Sequence, residues 1–147
     1  MGNKLIIVFL FMSIAWGCGT TKTVSFKIVD NKGQKFHFQT RLPKGYIVRS
    51  MNFENEKATV FIYSDSSRFF FSDNTKPSAF YPDAYKKYGK DLAIKFLSKD
   101  TITISGIDEA GKFWKLRKAK IVVYGYMKVP AEKKRIFDSI FNSVTIK

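Results

Sequence analysis

The sequence predicts an α+β fold, in which an antiparallel β-sheet of five to seven strands carries two helices packed on it. Short runs of alternating apolar and polar residues recur along the chain and are separated by turn residues, as in antiparallel strands. In two segments, residues 90–98 and 131–142, the apolar spacing becomes helical. Of the 147 residues, 45% are hydrophobic and 16% are aromatic, which supplies one core and excludes a disordered chain.

The first two strands are predicted on either side of a turn at residues 30–33. Apolar residues occupy every second position on each side of this turn, and polar residues lie between them. The alternating apolar positions are Val24, Phe26, Ile28, Phe36 and Phe38. This pattern predicts a β-hairpin with one apolar and one polar face.

A second hairpin is predicted from residues 46–53 and 57–63, followed by a short apolar run at residues 69–71. Residues 58–63 are apolar on nearly both faces, which indicates an inner strand covered on both sides. Further strands are predicted at residues 101–107, 112–117, 120–128 and 144–146.

The first helix is predicted within residues 83–98. Its apolar stripe consists of Tyr85, Tyr88, Leu92 and Phe96. Gly89 weakens the beginning of this helix, so its secure part is residues 90–98. The second helix opens at Pro130, where the missing N–H costs nothing in the first turn, and continues over residues 131–142. Its stripe consists of Ile136, Phe137, Ile140 and Phe141.

The first twenty residues have the layout of a secretory signal. A short basic start ends at Lys4, and residues 5–15 are apolar except for one serine. That run is much shorter than the roughly 20 apolar residues that span a bilayer. Gly17 and Cys18, the only cysteine of the chain, then stand where cleavage would occur.

Residues 15–18, Ala-Trp-Gly-Cys, resemble the end of a bacterial lipoprotein signal in the relaxed form of the Bacteroidetes. The resemblance implies that residues 1–17 are a removed signal peptide and that Cys18 carries the lipid, including palmitate. Residues 18–22 are then a short tether, and residues 23–147 form a single domain. It further implies a lipid-anchored protein of the cell membrane or outer membrane that faces the periplasm.

Two segments of the predicted domain resemble the PsbP-like family of small secreted and lipoprotein domains. They are Leu42-Pro43-Lys44-Gly45-Tyr46 after the opening hairpin, and the closing helix at residues 135–143 that runs into residues 144–146. The resemblance implies the same α+β fold and a binding or accessory role. It transfers no catalytic residue, because the family shares none.

The search for catalytic and metal sites returns few candidates. One histidine and one cysteine exclude a multi-histidine metal site and a thiolate zinc cluster. The histidine, His37, lies on the polar face of a predicted strand, where we interpret it as solvated or cross-strand. The carboxylates of Asp65, Asp108 and Glu109 are interpreted as turn residues. We therefore predict no catalytic residue, no metal and no cofactor.

The net charge of +14 points to anionic partners. Nucleic acid is disfavoured, because the lysines are spread over many faces and the signal exports the chain. A membrane surface or another envelope protein fits better. One cluster, Tyr81, Tyr85, Lys86, Lys87 and Tyr88, places aromatic rings beside cations and is a weak candidate site for a glycan, peptide or lipid headgroup. The preferred alternative is that its rings cap the edge of the core.

Three functional hypotheses follow. The first is a lipid-anchored cell-envelope protein with a basic, aromatic-rich binding or accessory domain. The second is a small envelope hydrolase or transferase, which requires a pocket with convergent carboxylates or His37. The third is a structural or inhibitory module.

Overall fold

A computed structural model of the chain describes residues 21–30, 32–53, 56–73, 86–87 and 100–147. Within these residues, strands form two antiparallel sheets and one short helix follows the last long strand. The elements are β1 (Thr21–Val29), β2 (Lys35–Pro43), β3 (Tyr46–Phe53), β4 (Glu56–Tyr63), β5 (Arg68–Ser72), β6 (Thr101–Ile107), β7 (Phe113–Ala119), β8 (Val122–Val129), a 3-10 turn (Ala131–Lys133), α1 (Lys134–Asn142) and β9 (Thr145–Ile146).

The smaller sheet has the strand order β1-β2-β9 and contains the first predicted hairpin. That hairpin is confirmed, because Phe26 lies opposite Phe38 on the neighbouring strand. Asp30 closes its turn: its Oδ1 accepts hydrogen bonds from the backbone N–H groups of Lys32 (2.9 Å) and Gln34 (2.8 Å). The short β9 then adds to the other side of β2.

The larger sheet has the order β3-β4-β5-β8-β7-β6, with every neighbouring pair antiparallel. The inner strand predicted at residues 58–63 is confirmed, since β4 lies between β3 and β5. β8 is also an inner strand, between β5 and β7. Successive residues of the inner strand β5 enter different cores: Phe69 and Phe71 pack on one face of the sheet, and Phe70 packs on the other.

The main core lies where the smaller sheet and α1 cover one face of the larger sheet. Phe26 of the smaller sheet stacks on Phe71 of the larger one, with ring centroids 5.8 Å apart. From α1, Phe141 lies 5.3 Å from the Tyr124 ring and Phe137 lies 5.7 Å from the Tyr126 ring. Three elements are thus held together by aromatic contacts, whose geometry adds to the hydrophobic effect of burial.

A second cluster of buried side chains lies on the opposite face of the larger sheet. It consists of Val60, Phe70, Ile104, Trp114, Leu116 and Val123. The described residue Lys87 lies at this face, with its Nζ 6.0 Å from the centroid of the Trp114 ring.

The predicted fold class is wrong. The structure is mostly β, with two antiparallel sheets of three and six strands in its described part, rather than one sheet that carries two helices. Besides the short α1, only Lys86 and Lys87 among the described residues are α-helical. The predicted helix at residues 90–98 lies outside the described residues. The physical reason for the error in the sheet is that alternation identifies strands without identifying their partners. Gly45, with φ of 98°, turns the chain after β2 into the second sheet.

Candidate binding groove

A groove of about 790 Å³ lies between the C-terminal half of β2 and α1. Side chains from β1, β2, β9 and α1 line it, and they include Thr21, Gln39, Arg41, Arg135, Ile136 and Ser139. The groove therefore gathers residues from both ends of the sequence at one end of the smaller sheet.

The groove exists because β9 is too short to cover β2. Its two residues pair only with Phe38 and Gln39, whereas β2 continues to Pro43. Lys147 and His37 exchange main-chain hydrogen bonds of 2.9 and 3.0 Å just beside this pairing. In an antiparallel strand, the N–H and C=O groups of every second residue point to the same neighbouring strand, so those of residues 37, 39 and 41 point to the same side of β2. The main chain of Arg41 therefore points to the side of β2 where, among the described residues, no strand continues the ladder.

Two arginines make the groove positive. Arg41 and Arg135 are exposed, and neither forms an ion pair with any residue in the described part of the chain. None of the described lining residues carries a carboxylate. The planar guanidinium group presents donors that match the geometry of carboxylate and phosphate oxygens. The groove is thus suited to an anionic group.

The wall formed by α1 also has an apolar component. Ile136 is 51% exposed although it belongs to the apolar stripe of the helix. The other stripe residues, Phe137, Ile140 and Phe141, are buried in the core. Ile136 therefore adds an apolar surface beside the hydroxyl group of Ser139 and the guanidinium of Arg135.

A small polar cluster holds this wall against β2. Thr40 is buried, and its Oγ1 lies 3.2 Å from the carbonyl oxygen of Ile140 and 2.9 Å from Oγ of Ser143. The Ser143 hydroxyl donates to the same Ile140 carbonyl oxygen at 2.8 Å. These contacts add to the hydrogen bond of 3.1 Å that the same carbonyl, at the C-terminal end of α1, accepts from the backbone N–H of Ser143. They fix the distance between the two sides of the groove.

On the side of α1 that faces the larger sheet, Asp138 gathers three donors. It accepts hydrogen bonds from Lys115 (3.0 Å), Lys134 (2.5 Å) and the Tyr126 hydroxyl (2.8 Å). Burial opposes ionisation of Asp138, but these bonds outweigh it and lower its pKa to about 2. Burial, reinforced by the bond to Asp138, raises the pKa of Tyr126. The cluster anchors α1 to β7 and β8.

Asp65 has a similar role at the start of the helical segment. Its Oδ2 lies 2.7 Å from Nζ of Lys133, and its Oδ1 accepts a hydrogen bond of 2.6 Å from the Ser67 hydroxyl. Burial again opposes ionisation, and the bonds from Lys133 and Ser67 outweigh it and lower the pKa of Asp65 to about 2. The carboxylates of Asp65 and Asp138 are thus engaged by lysines and do not neutralise the two arginines of the groove.

The structure places His37 outside this groove, on β2 opposite Lys27. Its Nε2 is buried and has no hydrogen-bond partner among the residues described. Lys27, Lys35, Lys57 and Lys147 line a second cavity of about 640 Å³ around it. Neither a hydroxyl nor a carboxylate from the described ranges is bonded to the imidazole.

Only part of the predicted tyrosine–lysine cluster can be located. Tyr81, Tyr85 and Tyr88 lie outside the described residues, as does Cys18. Lys86 pairs with Glu109, and Lys87 donates a hydrogen bond of 3.0 Å to the carbonyl oxygen of Ser105. The two lysines thus contact β6 and the turn after it.

We interpreted Asp108 as a turn residue, and this interpretation is confirmed. Its Oδ1 accepts hydrogen bonds from the N–H groups of Ala110 (3.0 Å) and Lys112 (2.8 Å). No group of three or more potential metal ligands occurs in the described part of the chain. Nor does that part contain a helix long and apolar enough to cross a bilayer.

Comparisons with protein families, with curated proteins and with solved structures find no match to this chain. The resemblances to lipoproteins and to the PsbP-like family therefore stay predictions. The groove was not predicted from the sequence. Arg41 and Arg135 belong to distant segments that the packing of α1 on β2 and the pairing of β9 with β2 bring together.

Proposed function

We propose that this chain is a lipid-anchored cell-envelope protein with a binding or accessory role, and that its binding surface is the groove between β2 and α1. The observation that carries the binding role is the pair of arginines, Arg41 and Arg135, in a groove whose described lining holds no carboxylate. Guanidinium, hydroxyl and apolar groups side by side suit recognition of an anionic molecule that also has an apolar part.

The proposed anchor lies close to this groove. β1 begins at Thr21, three residues after Cys18, and Thr21 itself lines the groove. A chain spans at most about 3.6 Å per residue, so Cys18 lies within about 11 Å of Thr21. The strand also starts two residues before the predicted domain boundary at residue 23, so the tether is shorter than the predicted residues 18–22.

Acylation would supply the lasting membrane attachment in this proposal. The apolar run at residues 5–15 is too short to span a bilayer and serves translocation only. Each buried CH₂ group of an acyl chain contributes about 0.8 kcal/mol, and two or three chains together give stable anchoring.

The test is incorporation of labelled palmitate in a bacterial host, combined with the intact mass of the purified protein. We expect the wild type to carry the label and to have lost residues 1–17, and the Cys18→Ser variant to show neither change. Thr20→Ser, which leaves the thiol in place, is the matched control and should behave like the wild type. A wild type without lipid, or a Cys18→Ser chain that is still processed and still fractionates with membranes, contradicts the anchor.

A further inference from the structure

The end of the domain that holds the groove carries several cations without a described acidic partner. These are Lys22, Arg41, Lys44 and Arg135, all exposed. Of the carboxylates nearby, Asp65 is paired with Lys133, and Glu132 is exposed. The balance of charge at this end is therefore positive.

The two ends of the smaller sheet lie at different distances from the proposed anchor. β1 has nine residues and starts at Thr21, in the groove. At about 3.3 Å per residue, the turn after Val29 lies about 26 Å farther along the strand. The lipid attachment point is thus next to the groove end and remote from the β1–β2 turn.

We propose that the groove end of the domain faces the bilayer that holds the acyl chains, and that Arg41 and Arg135 bind phosphate groups of its lipid headgroups. The inference rests on the lipid anchor proposed above. Guanidinium groups form bidentate hydrogen bonds with phosphate oxygens, and cations close to an anionic leaflet are attracted to it. Ile136, which lines the same groove and is 51% exposed, would lie at the boundary between headgroups and acyl chains.

The length of the tether favours a lipid surface over a protein partner in this groove. The span of about 11 Å from Cys18 to Thr21 is close to the width of a single helix with its side chains. A folded partner does not fit between the groove and the membrane at that distance. Headgroup phosphates lie at the membrane surface itself, within this distance of the groove, and therefore need no gap between the groove and the membrane.

The orientation is tested with the lipidated chain in vesicles. Because Cys18 is the only cysteine and its thiol is acylated, one introduced cysteine gives one labelling site. Ser139→Cys places a fluorophore in the groove, and Gln34→Cys places it on an exposed position beside the distal turn. The vesicles contain phosphatidylcholine with or without phosphatidylglycerol, and a nitroxide on the lipid headgroup acts as the quencher.

We expect strong quenching at Ser139, more with phosphatidylglycerol than without it, and little quenching at Gln34. Replacing both Arg41 and Arg135 by Gln should remove the increase that phosphatidylglycerol causes. Replacing both Lys32 and Lys35 by Gln is the matched control, since it removes the same charge at the distal end and should leave the increase in place. High salt should weaken the increase, because it screens charges at the surface.

Intact mass of the same samples separates the possible failures. A lipidated chain that is quenched at Gln34 but not at Ser139 overturns the orientation and leaves the anchor intact; the groove is then free for a protein partner. Quenching at Ser139 that does not depend on the two arginines overturns the phosphate contacts. A chain without the lipid mass overturns the anchor itself and the inference with it.

Discussion

Asp138 shows how one side chain fixes the position of the helix beside the groove. Its carboxylate joins Lys115 of β7, Tyr126 of β8 and Lys134 of α1. Hydrogen bonds to a charged group contribute more than those between neutral groups. The position of α1, and with it Arg135 on the groove wall, thus depends on a contact on the opposite side of the helix.

Replacing Asp138 by Asn should lower the free energy of unfolding by about 2 kcal/mol at neutral pH. The pKa of Asp138 is about 2 in the folded protein and higher in the unfolded chain, where 3.8 is the ordinary value. Its stabilisation is therefore present above about pH 4 and is lost as the pH falls towards 2. Urea unfolding at a series of pH values should show the difference between wild type and variant shrinking over that range.

The control for this measurement is Glu132→Gln, an exposed neighbour of the helix that should leave stability nearly unchanged. A difference between wild type and the Asp138→Asn variant that stays constant down to pH 2 would contradict the assigned role.

Thr40 joins the two walls of the groove, and Thr40→Val tests this connection. Valine has nearly the same shape as threonine but lacks the hydroxyl group that contacts Ile140 and Ser143. We expect a loss of about 1 kcal/mol in the free energy of unfolding, measured by urea titration. Thr23→Val, at an exposed position of β1, should change it little. Equal effects of the two substitutions would show that the buried hydroxyl contributes nothing.

At the scale of elements, β8 passes so close to β7 that only glycine fits at one position. A Cβ on Gly125 would lie 2.0 Å from the carbonyl oxygen of Lys115 and 3.0 Å from Cα of Leu116. The pairing of β7 with β8 shifts register between Phe113 and Lys115, next to this contact. An irregular pairing therefore brings the two backbones together in the middle of the larger sheet.

We expect Gly125→Ala to cost about 3 kcal/mol of stability, because backbone atoms on both strands must move. Thermal unfolding followed by circular dichroism measures this loss. Ser50→Ala on the exposed β3 is the control and should change the unfolding temperature little. An alanine at position 125 that leaves the temperature unchanged is incompatible with the close approach.

The sequence predicts individual strands well and their assembly poorly. The alternation of Val24, Phe26 and Phe38 is visible locally, and the hairpin that it predicts is present. The third strand of the smaller sheet is β9, whose two residues carry almost no pattern and which pairs with β2 across about a hundred residues of chain. Period-2 alternation contains no information about such distant partners.

For the whole molecule, the excess of cations should make stability depend on salt. The net charge is +14, since 26 lysines and arginines outnumber the 12 carboxylates that could pair with them. Repulsion between like charges should therefore dominate. We expect the unfolding temperature to rise as the Debye length falls from about 30 Å to about 8 Å between low and physiological ionic strength.

Differential scanning fluorimetry at several salt concentrations checks this expectation. The variant with Gln in place of both Lys32 and Lys35 should unfold at a higher temperature in low salt and should respond less to added salt. An unfolding temperature that decreases with salt would show instead that attractive ion pairs outweigh the repulsion.

The groove could not be predicted from the sequence, because the residues that line it are far apart in the chain. Sequence analysis selected clusters that are contiguous in the chain, such as Tyr81 to Tyr88. The groove instead combines Arg41 and Arg135, which are separated by most of the domain, and its lining depends on where β9 begins. Each arginine alone is indistinguishable from the many other exposed cations of this basic chain. The proposed lipid attachment at Cys18 differs, because it is predicted from a local pattern, and it stays a prediction.

The pairing of β9 with β2 also has a consequence for how the protein is made. The ribosome releases the β1–β2 hairpin before α1 and β9, which cover and extend it. Until then Phe26, Phe36 and Phe38 have no cover from the helix. Contacts between such distant segments form slowly, because a long loop must close first. The nascent chain therefore exposes these aromatic side chains until α1 and β9 have been synthesised, and we expect it to be prone to aggregation during that interval.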